Sequence, residues 1–480
     1  LNLSNVTGGI AGEQAPAILI RELQGGIMPV QSTIDRGNGL VVRWSTTADQ
    51  ERIADLFSHV FRRSADDPPN TRMIAYVQHQ MSGRHPLIGP NDIALVEDAQ
   101  RGIVVAATSV MRQRWEYAGV PFTLSRAEPV AAHEEYRNRG LVRATFDLMH
   151  ARSAERGDLA QCITGIPYFY RQFGYEYAVD LGGSRSVALT MIPDAKEGQP
   201  EPFTLRDAAI DDLPQIRMLY ERERSRNVNG LPILVSTPFD HDHWRWTLSG
   251  QTVDAGEGWN TRMIVRPDGQ PVGYVLTGRV RWSPDQVRVV GMMVEPGIPL
   301  TVVMPPVLRA LRTIAPTVPN MPPKTGEPRR LVFSLGAAHP VYEALGRDLI
   351  IRTEQPYGWY VRVPDVPLFL RHIRTVLERR LAGSFLAGYT GELNIDFYKS
   401  GLRLVFDQGR IAFIEPWRPP VYGSEAGAGF PPLVFLQLMF GRRSLEELCA
   451  WHDDVWADDE PAMVLNTLFP KQPSWVLPLD

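Results

Sequence analysis

Two stretches of this chain repeat one another position by position. Val42-Arg43, Asp49, Ile53, Leu56 and Phe57 recur as Leu205-Arg206, Asp212, Ile216, Leu219 and Tyr220, at identical spacing. In each copy a short strand runs into a helix whose apolar positions fall three and four apart, on one face. In the first copy Thr47 and Gln50 stand in a capping-box arrangement at the helix start. Such a repeat points to two copies of one fold in tandem. With 480 residues and roughly 150 residues per domain, the chain has room for a third unit.

After its opening helix, the first copy continues with alternating apolar stretches at Ile93 to Glu97, Ile103 to Arg114 and Phe122 to Ala132, an antiparallel meander. The last stretch ends in Arg137-Asn138-Arg139-Gly140, followed by Leu141-Val142-Arg143. Leu141, Ala144, Leu148 and Ala151 then mark an amphipathic helix, and Gly157 stands where a left-handed C-terminal cap belongs. A helix start presents unpaired amides and the positive end of its dipole. Arg137, Arg139 and Arg143 add full charges, so a diphosphate is the natural guest. A strand at Leu159 to Thr164 follows, then a short helix over about Pro167 to Phe173, closed by Gly174. The second copy reaches the same point at Val287 to Val294, but continues Glu295-Pro-Gly-Ile-Pro-Leu300, with no arginine. This predicts a second copy that binds no coenzyme.

The Arg-x-x-Gly turn, joined to Tyr170-Arg-Gln-Phe-Gly-Tyr175, resembles the acyl-CoA site of the Gcn5-related N-acetyltransferases (GNAT). The resemblance implies that the strands ending near Ala132 and Thr164 splay apart and that the pantetheine arm of acetyl-CoA lies between them. Val130, Ala131 and Ala132 would line the cleft, while Arg137, Asn138, Arg139, Gly140, Leu141, Val142 and Arg143 would hold the diphosphate. One position departs from the family pattern: its usual second small residue is Val142 here.

A third region begins at Pro364-Asp365, with an amphipathic helix over about Val366 to Leu381 and alternating strands around Leu393 to Phe397, Leu402 to Phe406 and Ile411 to Ile414. An Asp407-Gln-Gly turn joins the last two strands. Helices near Pro432 to Phe440 and Ser444 to Ala450 follow, the latter with a Ser444/Glu447 capping box. The order of active copy, silent copy and small α+β unit is similar to the enhanced-intracellular-survival (Eis-like) acetyltransferases, whose third domain looks like a sterol carrier protein. The fold class expected is therefore α+β: tandem GNAT folds with mixed, mostly antiparallel sheets, and a sterol-carrier-like domain. The expected divisions are 1–38 as an extension, 39–200 as the catalytic copy, 201–364 as the silent copy and 365–480 as the third domain.

The same resemblance implies acetyl transfer from acetyl-CoA to a primary amine of a small polyamine- or aminoglycoside-like molecule, in a trimer-based homo-oligomer, often a hexamer. Tyr170 would be the general acid that protonates the departing thiolate. The α-carboxylate of Asp480, at the end of an apolar tail, would be the base. Asp66 and Asp67 would wall the acceptor pocket. A protein or peptide acetyltransferase acting on lysine or an N-terminal amine, and a non-catalytic acyl-CoA or lipid binder, are the rival readings.

The bulk properties narrow the partners. Net charge is -4 with a pI near 6.3, which argues against broad phosphate neutralisation on nucleic acid. No apolar run reaches ~18 residues, so no membrane span is expected. Only Cys162 and Cys449 occur, which fits a reducing cytoplasm, excludes a disulfide framework and predicts two buried thiols. Asp240-His-Asp-His243 lacks metal-ligand spacing, so no metal is expected. Residues Leu1 to Asn38 read as a flexible extension, with Met28 a candidate start.

Overall fold

The structure, a computed structural model, describes residues 33–228, 230–251, 253–418 and 425–477. The first copy comprises β1 (Thr33–Asp35), β2 (Leu40–Trp44), α1 (Gln50–Val60), α2 (Thr71–Gln80), β3 (Ile93–Asp98), β4 (Ile103–Tyr117), β5 (Val120–Ala132), α3 (Leu141–Glu155), β6 (Ala160–Ile163), a 3-10 helix (Phe169–Phe173) and β7 (Glu176–Leu181). β1 to β5 form an antiparallel meander, and β6 joins parallel to β5. α1 and α2 cover one face through Ile53, Phe57, Met73 and Val77, and α3 covers the other through Leu141, Ala144 and Leu148. The extension is shorter than expected: residues 33–35 are already a strand, because Gly37, Asn38 and Gly39 all take positive φ and turn the chain into a hairpin with β2.

The internal repeat has a physical counterpart. Arg43 grips Asp49 with two bonds of 2.8 Å, and Arg206 grips Asp212 with two of 2.7 Å. In each copy the same carboxylate also accepts a backbone amide at the helix start, from Thr46 and from Ala209. The cap in the first copy is therefore Thr46 with Asp49, not Thr47 with Gln50, because the carboxylate must face the arginine and the amide at once. Both neighbours, Arg43 first among the partners, hold Asp49 well below the usual carboxylate range. Asp49→Ala should cost about 2 kcal/mol of stability, since it removes the helix-start cap and one of the two carboxylates on Arg43, which keeps Glu97; denaturant titration would measure it.

The two main sheets exchange strands. β8 (Ser184–Ala188) lies in the second sheet, between the strands Arg330–Phe333 and Ile350–Glu354. Conversely, Tyr357–Arg362 inserts between β6 and β7 of the first sheet. Sheet membership thus does not follow the expected divisions at 200 and 364. The crossing point is Gly182-Gly183, both with positive φ (69° and 98°). A Cβ at Gly183 would lie 2.9 Å from the carbonyl of Gly336, so the site admits glycine alone.

The rest of the second sheet consists of β9 (Thr204–Asp207), Trp259–Val265, Pro271–Gly278 and Gln286–Val294, with the helix Leu213–Arg224 on it. Apolar side chains of α1 and α2 merge with those of Leu213–Arg224 and Trp259–Val265 into one core, so the copies are packed face to face. The third unit is a five-stranded sheet with helices, including Val366–His372 and Arg374–Ala382, where a single helix was expected. The break falls at Ile373, whose ψ of 10° leaves the helical range. The Gln408-Gly409 hairpin turn has positive φ at both residues, and Ser444 and Glu447 exchange bonds of 3.1 and 2.9 Å. Trp115, Tyr117 and Phe122 of the first sheet share a core with this unit. Cys162 is buried, but Cys449 is exposed on the outer face of its helix, contrary to expectation.

Candidate active site

The site begins where β5 leaves β6. Their register runs Leu124↔Ala160, Ser125↔Gln161, Arg126↔Cys162 and then stops. On its other edge β5 stays paired to β4, but with a bulge: Thr108 faces Val130 and Val110 faces Ala127, so Glu128 and Pro129 are opposed only by Ser109. A bulge bends its strand, and Pro129 offers no amide to a ladder. Beyond it Val130, Ala131 and Ala132 continue with no strand on the β6 side among the described residues, which leaves a wedge lined by backbone groups. An extended amide-bearing arm can add itself there as a strand would.

The wedge opens at the head of α3. Asn138 and Gly140 take positive φ (62° and 71°), and the first intrahelical bond is Ala144 N–H to Gly140 C=O at 3.0 Å. The amides of Leu141, Val142 and Arg143 therefore point out of the helix start. The turn is fastened from behind by Tyr136, whose hydroxyl donates to Asp98 at 2.6 Å and accepts from Arg101 at 3.0 Å. Arg139 stacks on Tyr136, 4.9 Å from the ring centre, and donates to the Glu135 carbonyl. Arg143 lies 4.7 Å over Phe173 and donates to Gln172 at 3.3 Å, tying this turn to the 3-10 helix. Arg137 is exposed, and its side chain makes no hydrogen bond or ion pair among the described residues. Val142, the departure from the family pattern, packs with Val130 in the cluster around Tyr170.

Tyr170 sits at the other wall of the wedge. Its ring stacks on Phe146 (5.9 Å between centres) and meets Tyr360 edge-on (5.6 Å). It is only 5% exposed, and its hydroxyl makes no hydrogen bond among the described residues. Burial, reinforced by the Glu128 carboxylate, raises its phenol above the ordinary value of 10. The strand Tyr357–Arg362, which comes from far along the chain, thus supplies one side of the tyrosine's socket.

The bulge has a consequence that the sequence pattern concealed. Glu128 Oε2 accepts from Arg126 at 3.0 and 2.6 Å and from Thr164 Oγ1 at 3.2 Å, which spans the two splaying strands. Glu128 and Pro129 also line a cavity of about 350 Å³ between the copies. One wall is α1 and α2 (Phe61, Arg72, Tyr76), and the other belongs to the second copy (Glu257, Trp259, Arg279, Trp282). Proline inside a strand was the available signal for a bulge; a lone acid beside it carried none for a site. Asp66 and Asp67 line neither this cavity nor the wedge: Asp66 is exposed, and Asp67 accepts the Ser64 amide to close a turn.

Asp480 lies outside the described residues, but the approach to it is visible. Trp475 donates to Val235 at 2.8 Å, and Trp475, Val476 and Leu477 are buried. They occupy a cleft whose lining includes Trp259, Arg288 and Val290, and these three also line the cavity with Glu128. Asp240 caps the helix His241–Arg245 by accepting the His243 amide, and no group of ligands able to hold a metal occurs among the described residues. Nor is any described helix long and apolar enough to cross a membrane.

A bulged, splayed pair of strands ending at a basic helix start, with a buried phenol across the gap, is the architecture of an acyl-CoA-dependent acyltransferase. Residues 41–178 match the model of the acetyltransferase (GNAT) domain, so this part of the chain is a GNAT acetyltransferase domain and the protein is an acyltransferase. Among solved structures, a GCN5-related N-acetyltransferase from Anabaena variabilis aligns over 91% of this chain and 99% of its own, at 13% identity and a TM-score of 0.62. Another from Kribbella flavida covers 94% and 99%, at 15% identity and 0.59. Eis1 from Mycobacterium abscessus covers 90% and 98%, at 13% identity and 0.53. The fold is therefore shared along almost the whole chain. No curated protein matches in sequence.

Proposed function

We propose that this protein transfers the acetyl group of acetyl-CoA to a primary amine of a small polyamine- or aminoglycoside-like molecule, as an Eis-like enzyme of the cytoplasm with a sterol-carrier-like third domain. The observation that carries the reading is the buried hydroxyl of Tyr170, without a hydrogen-bond partner among the described residues, across the wedge from the helix start at Gly140. The diphosphate lies on the amides of Leu141 to Arg143, beside Arg137, and the pantetheine arm pairs with β5 along Val130 to Ala132. The thioester then reaches the bulge. The neutral amine attacks the carbonyl carbon, the C–N bond forms, and the C–S bond breaks. Tyr170 gives its proton to the leaving sulfur.

The α-carboxylate of Asp480 is the assigned base. Leu477 is buried against the cavity's shared wall, and three residues reach at most ~10 Å further. A peptide appended after Asp480 should lower turnover by about tenfold or more with coenzyme affinity unchanged. The pairing of the copies in one core supports a closed cavity over an open groove, and hence a small acceptor over a protein lysine.

Calorimetry with acetyl-CoA, and thiol release with spermidine, kanamycin and a lysine peptide as acceptors, test the reading. Binding with transfer to either small amine supports it, transfer to the peptide alone replaces the acceptor class, and no binding ends it. Arg137→Glu should weaken coenzyme binding by about tenfold, with a larger loss at low salt than at high. The trimer-based assembly predicts a solution mass of three or six times 53.9 kDa by light scattering.

A further inference from the structure

We infer that the cavity between the copies also accepts amines that carry a carboxylate, and that Arg279 of the second copy holds the acid group. This rests on the N-acetyltransferase reading above and adds a class of acceptor to it: small ω-amino acids, with amine and acid at opposite ends of a short chain. The charges of the lining carry the inference. Its charged residues are Glu128, Glu257, Arg72, Arg279 and Arg288. Each of the two acids is engaged from outside the lining: Glu128 accepts from Arg126, and Glu257 Oε2 lies 3.3 Å from His79 Nδ1. Arg279 has no such partner, for no carboxylate among the described residues pairs with it or acts on its charge.

The fold aims this guanidinium at the cavity. Arg279 follows directly on the strand Pro271–Gly278, and its amide donates to the Gly258 carbonyl at 3.3 Å. The side chain is then pinned by two neutral oxygens: Nη1 donates to the Gln251 carbonyl at 2.6 Å and Nε to the Trp259 carbonyl at 3.4 Å. These bonds fix the direction of the group but do not compensate its charge, and Nη2 makes no hydrogen bond among the described residues. The residue is half-buried, so water screens it only in part, and burial lowers its pKa with nothing to oppose the shift. An arginine remains charged at neutral pH even so. A cation held this way is stabilised by an incoming anion, and a carboxylate suits a guanidinium best.

The rest of the lining suits the same molecule. Arg72 and Arg288 add positive charge, which favours an acid end further. Phe61, Trp259 and Trp282 offer apolar surface to the chain between the two ends, and a volume of about 350 Å³ encloses a small amino acid. A purely architectural role for Arg279 is the competing account, since its two carbonyl bonds also fasten Gln251 to Trp259. Loss of that fastening would weaken every acceptor alike, whereas loss of an anion partner weakens only those that carry the acid.

Matched acceptors that differ only by the carboxylate test this: β-alanine against ethylamine, and ε-aminocaproate against pentylamine, by thiol release from acetyl-CoA. In at least one pair the wild type should show a kcat/KM about tenfold or more higher for the acid, the worth of one charge-assisted hydrogen bond. That ratio should fall about tenfold in Arg279→Met, with the loss in KM rather than kcat. Arg279→Lys, which keeps the charge, should restore part of it. The wild-type ratios decide the acceptor class even if Arg279→Met does not fold. A wild type that prefers neither acid to its partner, or a ratio that is the same in Arg279→Met, overturns the inference, and transfer to any of the acid-free amines then leaves the acetyltransferase reading standing. A wild type that binds acetyl-CoA but acetylates none of these amines, nor spermidine or kanamycin, removes the small-amine reading and this inference with it.

Discussion

Tyr170→Phe should lower acetyl transfer by about 100-fold or more while leaving the affinity for acetyl-CoA within about twofold of wild type. The change removes one oxygen from a ring held by Phe146, Phe169 and Tyr360, and phenylalanine refills the same socket. That oxygen has no hydrogen bond among the described residues, so its loss orphans no described group. What disappears is the proton supplied to sulfur as the C–S bond breaks. The sign of the pH dependence follows from the environment. Burial, then the Glu128 charge, push the phenol above 10, so the protonated, competent form persists through pH 10. Turnover of the wild type should show no alkaline fall below that pH from this group. Steady-state thiol release together with calorimetry measures both parts; unchanged turnover in the variant would remove Tyr170 from the chemistry.

Gly183→Val should destabilise the protein by about 4 kcal/mol, a large part of the ~5 to 15 kcal/mol that holds a typical domain together. Two effects add. Valine is β-branched and resists the φ of 98°, and its Cβ would meet the Gly336 carbonyl and the Pro356 ring at 2.9 Å. Gly182→Ala is the control: φ is also positive there (69°), but nothing lies within 4 Å, so only the backbone strain of about 1 kcal/mol remains. Denaturant midpoints of the two variants separate these effects. Equal losses would show that the close approach at Gly183 is relaxed at little cost.

Features written in local spacing were legible in the sequence. The repeat at Arg43 and Arg206, the turn at Arg137 to Gly140, the α3 stripe and the Ser444/Glu447 cap all depend on neighbours within a few turns of chain, and the structure places each of them. What failed was of two kinds. Adjacent candidates of equal local merit, such as Thr46 and Thr47, are decided by a third group, here Arg43 gripping Asp49. Pairings across large separations leave no local trace: nothing in Tyr357-Gly-Trp-Tyr marks it as the partner of Ile163 and Val179. The place of Glu128 was hidden for the same reason, since its bond to Thr164 and its position in the cavity between the copies depend on distant residues rather than on its flanking ones. Asp66 and Asp67 were favoured by their charge and by their place in the family resemblance, and the Asp67 carboxylate closes a turn by accepting the Ser64 amide.

The strand exchange sets the order in which the molecule can be built. During synthesis the sheet that carries Tyr170 lacks a middle member until residues 357–362 have left the ribosome, by which time almost all of the second copy has been made. The nascent first copy must wait with a gap between β6 and β7, and a truncation near residue 200 would leave that gap permanent and β8 without its two partners. Chain shortening is therefore a poor route to a minimal enzyme here, whereas a split placed after Arg362, with both pieces expressed together, keeps every described strand of the two interlocked sheets on one piece, and of their described bridges only that from Ser236 to Trp475 crosses the cut.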